Sequence, residues 1–147
     1  MASRRKAREY ALQSLYTVDQ TGQSVREALN GLWSGLLEEE DDGELGKRQA
    51  DSEEIEFATT LAEGVVEVRD DLDERIESSS TNWRIARMAL VDRNILRMAA
   101  YEILHKDDIP VNVSINEAVE LAKRFGTKDS RAFVNGILDR IAREKQG

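Results

Sequence analysis

Ser24-x-x-Glu27, Asp51-x-x-Glu54 and Ser114-x-x-Glu117 share one spacing, and each stands at the head of a segment whose apolar residues recur every three to four positions. A short oxygen-bearing side chain three residues before a Glu can satisfy, reciprocally, backbone N–H groups that a helix leaves open at its start. Each of these places therefore reads as the beginning of a helix. The rest of the chain agrees: it holds one proline, and no run of alternating β-branched residues is long enough to propose a sheet.

The segments follow in order. Ser3 is the expected N-cap of a first helix reaching about Asp19, with Ala7, Tyr10, Ala11, Ser14, Leu15 and Val18 on its buried stripe and Thr21-Gly22-Gln23 as its stop. A second helix carries Val25, Ala28, Leu29, Leu32, Trp33, Leu36 and Leu37 at core spacing. Residues 38–50 are expected to be a solvated acidic connector. A third helix runs from the Asp51 cap to about Glu77, and Ser78-Ser79-Ser80-Thr81-Asn82 marks a boundary. Beyond it lie a short helical segment at 84–88, a helix from about Val91 to His105, and a turn at Asp107-Asp108-Ile109-Pro110 that proline enforces. A helix headed by Ser114 and stopped by Gly126 follows, then a last helix from about Asp129 to Lys145. The expected fold class is all-α: six to seven helices in two small antiparallel bundles, one domain of residues 1–147 with subdomains at about 1–79 and 80–147. No internal repeat is evident.

Catalytic chemistry finds no footing. The chain has no cysteine, which removes disulfides, thiolate metal sites and a nucleophilic thiol. Glu102-Ile103-Leu104-His105 has the Glu-x-x-His spacing of helical di-metal sites, but His105 is the only histidine and the second pair such sites need cannot form. Its place beside Lys106 at a helix end suits a charged cap. Arg124-Phe125-Gly126-Thr127-Lys128 has the ingredients of a phosphate loop in the wrong order. Gly31-x-x-x-Gly35 and the Asn135-Gly136 pair read as clearance between helices. No enzyme, no cofactor and no metal site is expected. No apolar run approaches the ~18 residues that span a bilayer, and no hydrophobic segment follows the basic start, so a cytoplasmic protein with no membrane partner is the expectation.

Charge is the informative quantity. The net charge is −8, yet residues 38–77 hold 17 acidic and 4 basic side chains, a net of −13, so the rest of the chain carries +5. Arg4, Arg5, Lys6 and Arg8 crowd one end; Lys123, Arg124, Lys128, Arg131, Arg140, Arg143 and Lys145 crowd the other. Segregation of this kind is what a face for a polyanion needs. On a helical wheel Arg5, Arg8, Leu12 and Tyr16 fall together, roughly 80–160° from the centre of the buried stripe. Two arginines, an aliphatic side chain and a tyrosine suit RNA or a protein partner. The alternative is that Leu12 and Tyr16 pack beneath another helix while the arginines stay wet. At the last helix Lys128, Asp129, Ser130 and Arg131 gather at an N-terminus that favours anions, with Phe133 one turn on; Asp129 reads most simply as the N-cap.

Two runs are more specific than composition. Val91-Asp92-Arg93-Asn94-Ile95-Leu96-Arg97-Met98-Ala99-Ala100-Tyr101-Glu102, and VSINEAVELAKRFGTKDSRAFVNGIL at 113–138, resemble the NusB family of transcription antitermination factors. The opening RRKARE with Ala11, Leu12, Gln13, Leu15 and Tyr16, and Asn82-Trp83 before the central helix, look the same way. The resemblance implies an all-helical protein of two subdomains that pairs with NusE, a small-subunit ribosomal protein, binds boxA RNA, and joins an RNA polymerase antitermination complex, chiefly on ribosomal RNA operons. Arg4, Arg5 and Arg8 then fall in an arginine-rich RNA-contacting motif, and Asp129 and Phe133 at family positions on the RNA face. Lys128 and Arg131 join them on electrostatic grounds, and Tyr16 and Asp92 fall where the family meets NusE. The 38–54 loop with its EEEDD run is a departure from the family pattern, either inert or able to screen the basic face. Two further readings stay open: a protein–protein adaptor without specific RNA binding, and a stand-alone RNA-binding module related to the N-terminal domains of rRNA methyltransferases, which the lack of a methyltransferase sequence after Gly147 disfavours. A homodimer that hides the RNA face is compatible with the sequence.

Overall fold

The structure, a computed structural model, describes residues 2–41 and 50–146, with the side chains of 37–41 and 146 left aside. Seven α-helices follow one another among them: α1 (Arg4–Thr21), α2 (Val25–Asp41), α3 (Ser52–Glu67), α4 (Arg69–Ser79), α5 (Leu90–His105), α6 (Val111–Phe125) and α7 (Ser130–Gln146), with a 3-10 turn at Ile85–Arg87 before α5. No strand occurs among the described residues.

Local signals in the sequence account for most helix ends. The Ser3 hydroxyl accepts the Lys6 N–H at 3.1 Å, and α1 ends at Gly22, whose φ of 77° is the left-handed conformation that only glycine adopts without strain. Ser24 and Glu27 exchange both capping-box bonds (3.1 and 3.2 Å). At the head of α3 the Glu54 carboxylate accepts the Asp51 N–H at 3.3 Å and the Asp51 carboxylate accepts the Glu53 N–H at 2.9 Å.

Elsewhere the structure departs from the sequence reading. The expected acidic connector is shorter: α2 continues to Asp41 and α3 begins at Ser52, while residues 42–49 lie outside the described set. The expected single helix from Asp51 to Glu77 is two, broken at Val68 (φ −114°, ψ 24°); Asp70 and Asp71 then occupy the first turn of α4, where the helix dipole favours negative charge. Ser114 is no cap. Helix α6 starts at Val111 behind Pro110, and the buried Ser114 hydroxyl donates to the buried Glu102 carboxyl on α5 at 2.6 Å. Gly126 ends α6 in an extended rather than left-handed conformation; a Cβ there would collide with the Ser130 side chain, so steric room explains the glycine. The close helix contact expected at Gly31, Gly35 and Gly136 is not found among the described residues, where a Cβ at any of them would meet nothing within 4 Å.

The chain divides into two compact units, Met1–Glu63 and Gly64–Gly147, earlier than the serine run that marked the boundary in the sequence. The ring of Tyr101 on α5 occupies the space a side chain at residue 64 would need, which ties the last turn of α3 to the second unit. In the first unit α1 packs on α2, with the Tyr10 and Trp33 rings edge to face (5.3 Å), and the Ser3 N–H donates to the buried Glu54 carboxylate of α3 at 2.7 Å. In the second, α5 is central and packs on α4, α6 and α7. Its Arg97 is buried and forks onto Asp73 of α4 (Nε to Oδ1 2.7 Å, Nη2 to Oδ2 2.9 Å) while donating to Asn94 Oδ1 at 3.1 Å.

Candidate nucleic-acid and partner interfaces

On α1, Arg4 and Arg5 are exposed in the first turn. The Arg4 guanidinium lies 4.9 Å from the centroid of the Phe57 ring on α3, and the Arg8 guanidinium lies 5.2 Å from the same centroid. Residues four apart on a helix share a face, so one aromatic ring can hold two cations side by side. The outward strip expected from the wheel is only partly outward. Arg8 is 4% exposed and Leu12 6%, and Tyr16 is half-buried. At Arg8 the reason is the Phe57 ring of α3, which lies against the Arg4 and Arg8 guanidinium groups, so the buried arc of α1 is wider than the stripe facing α2. Arg8 thus joins packing to charge, and the wet cations of this turn are Arg4 and Arg5. Phe57 was not singled out by sequence reasoning; its signal was a large aromatic just off the core spacing of α3.

In the second unit the turn before α7 is capped by Thr127, whose hydroxyl accepts the Asp129 N–H at 3.4 Å while its own N–H donates to Ser130 Oγ at 2.9 Å. Asp129 stands at the N-cap position expected of it, directly before Ser130, with its side chain exposed. Lys128 and Arg131 are exposed beside it, and Phe133, half-buried, follows one turn later through its N–H bond to the Asp129 carbonyl at 3.2 Å. The Phe133 ring meets Trp83 edge to face, centroids 5.9 Å apart at 79°. These four residues of the sequence reading are therefore brought onto one end of α7, with Trp83 added by the fold.

Asp92 lies in the first turn of α5, where the macrodipole favours its charge, and its Oδ1 is sheltered with no hydrogen-bond partner among the described residues. The Glu-x-x-His pair does not converge: Glu102 is buried against Ser114, whereas His105 is exposed and stacks on Tyr101 at 5.2 Å. No cluster of His, Asp and Glu suited to a metal ion occurs among the described residues. No described helix is long and apolar enough to cross a membrane.

The sequence profile of the NusB family matches residues 5–143. This chain belongs to the NusB family. It is 47% identical, over 97% of its length, to the transcription antitermination protein NusB of Myxococcus xanthus, covering 96% of that protein. It is 49% identical to the protein of that name from Trichlorobacter lovleyi, with 96% and 91% of the two chains covered. Among solved structures it resembles T. maritima NusB with a TM-score of 0.82 and 35% identity, covering 98% of this chain and 94% of that one. NusB from a crystal structure of the antitermination factors NusB and NusE with dsRNA shares the fold at a TM-score of 0.76 and 24% identity, covering 96% of each chain. Transcription antitermination is thus the function of the NusB relatives this chain matches almost end to end.

Proposed function

We propose that this NusB-family chain binds boxA-type RNA and pairs with NusE in the cytoplasm, contributing no catalysis of its own, and that the pair enters an antitermination complex with RNA polymerase. The observation that carries the RNA reading is the Arg4–Phe57–Arg8 arrangement, with Arg5 exposed beside it. Arg8, buried beneath, helps fix the Phe57 ring, and the exposed Arg4 guanidinium held over that ring presents its planar edge in a set orientation, which suits phosphate better than a mobile lysine does. Lys128, Asp129, Arg131 and Phe133 supply a second RNA-contacting set on the other unit. Tyr16 and Asp92 are the proposed NusE contacts; the sheltered Asp92 Oδ1, one hydrogen bond short, is the group a partner's donor would complete. The free protein can store its RNA face in a homodimer that RNA and NusE dissociate.

Fluorescence anisotropy with a boxA RNA and a scrambled control, with and without NusE at two salt concentrations, tests this reading. Selective binding that tightens with NusE and weakens steeply with salt is expected, because each neutralised phosphate releases counterions. Salt-insensitive or unselective binding would overturn it and favour the adaptor reading. Sedimentation of the free protein against concentration reads the homodimer.

A further inference from the structure

Helix α7 contains a glycine that helix packing does not explain. Glycine is the poorest helix former after proline, yet a Cβ on Gly136 would meet nothing within 4 Å. What the missing side chain opens is a groove of about 380 Å³ within the second unit, lined among others by Ser80, Trp83, Phe133, Gly136, Arg140 and Arg143. That volume lies within the roughly 300–1,000 Å³ of small-ligand clefts.

The lining has a definite chemistry. Trp83 is 50% exposed, a large apolar surface left to water, but it is held: its carbonyl accepts the Ser80 hydroxyl at 2.8 Å and its ring meets Phe133. Because the two rings stand at 79°, they form a corner, and a flat base can lie along one ring with its edge against the other. Arg140 is anchored at the wall by donating to the Ser79 carbonyl at 3.2 Å. Arg143 is exposed and pairs with Asp139 at 3.2 Å, an exposed ion pair that is weak in water. None of the lining residues among those described is acidic; the nearby carboxylates of Asp139 and Glu144 are engaged at its edge by Arg143 and Ser79.

From this we infer that the groove receives one unstacked nucleotide of a bound single RNA strand, its base in the Trp83–Phe133 corner over Gly136 and its backbone phosphate at Arg143. The inference rests on the RNA reading above and extends it past Phe133, along α7 by almost three further turns to Arg143. Aromatic faces beside arginines, in a lining of described residues without an acidic member, match a nucleotide; an acidic peptide would leave the aromatic corner unused.

Anisotropy with the same boxA RNA and NusE, on the full chain, tests it with three variants. Trp83→Ala should lower affinity by roughly 5- to 100-fold, the usual effect of removing a base-stacking ring. Arg143→Gln should lower it less and flatten the salt dependence by about one phosphate contact. Gly136→Met should raise the melting temperature by about 2 °C, through better helix propensity, and still weaken RNA binding by filling the slot. Stability and affinity moving in opposite directions is a result no merely structural role produces. Wild-type affinity in Gly136→Met and Trp83→Ala would overturn the inference while leaving the RNA function standing. Failure of the wild type to bind RNA selectively would overturn both. A changed oligomeric state in Gly136→Met at unchanged RNA affinity would reassign the groove to self-association and overturn the nucleotide reading.

Discussion

Replacing Arg8 with alanine separates two roles that the sequence alone merged. Arg8 is 4% exposed, and its guanidinium lies over the half-buried Phe57 ring. Truncation removes two buried methylenes, each worth about 0.8 kcal/mol, and a largely desolvated cation–π contact worth about 1–2 kcal/mol. A loss of about 2–4 kcal/mol follows, and for a chain of 147 residues each kcal/mol moves the midpoint by about 2–4 °C. Thermal unfolding followed by circular dichroism should therefore show Arg8→Ala melting about 5–15 °C below wild type. Arg4→Ala removes an exposed contact to the same ring, worth about 0.5–1 kcal/mol, and should stay within about 4 °C of wild type. At a temperature where both are folded, Arg4→Ala should weaken boxA binding by losing a phosphate contact, and Arg8→Ala only through the loosened Phe57 ring that orients Arg4. The comparison matters because Arg8→Ala would otherwise be read as a pure RNA-contact variant. If it melts within about 2 °C of wild type, Arg8 is not part of the packed interior and the account of α1 is wrong.

Asp73→Ala should cost about 2–3 kcal/mol by chemical denaturation, since it leaves the buried Arg97 guanidinium without its bidentate carboxylate; an unchanged midpoint would show that the ion pair contributes nothing. Gly126→Ala should destabilise by about 1–3 kcal/mol through collision with Ser130, whereas Gly31→Ala should stabilise by up to about 1 kcal/mol because its Cβ enters open space. Equal effects of the two would refute the steric distinction between them. Asp92→Lys should abolish co-purification of NusE and, by reversing the charge in the first turn of α5, lower the melting temperature of the isolated chain by about 2–8 °C; intact pairing would remove Asp92 from the proposed interface.

Which features were legible in the sequence follows from their range. Ser3, Gly22 and the Ser24–Glu27 box act within one helical turn, so spacing along the chain is enough to find them. The Arg4–Arg5–Lys6–Arg8 cluster and the Lys128–Phe133 set are also contiguous, and charge and type mark them. Ser114 misled because its three-residue spacing to Glu117 is a capping box only if the helix begins there; a partner twelve residues away, Glu102, drew the hydroxyl into the interior instead. The break at Val68 lay inside an unbroken helical pattern that offered no proline or glycine at the junction to announce it. Phe57 could not be tied to Arg4 and Arg8, nor Trp83 to Phe133, because about fifty residues separate each pair along the chain.

By itself, then, the sequence determined the all-helical class, most helix starts, the segregation of charge and the family, because these depend on interactions within a turn or on residue order. Only the tertiary structure decided which cations are wet. It placed Arg8 and Leu12 inside while leaving Arg4 and Arg5 outside, and it turned Gly136 from an apparent packing glycine into the floor of a groove. Exposure is set by what comes to lie across a helix, and α3 reaches α1, as Trp83 reaches α7, only after the chain has closed on itself.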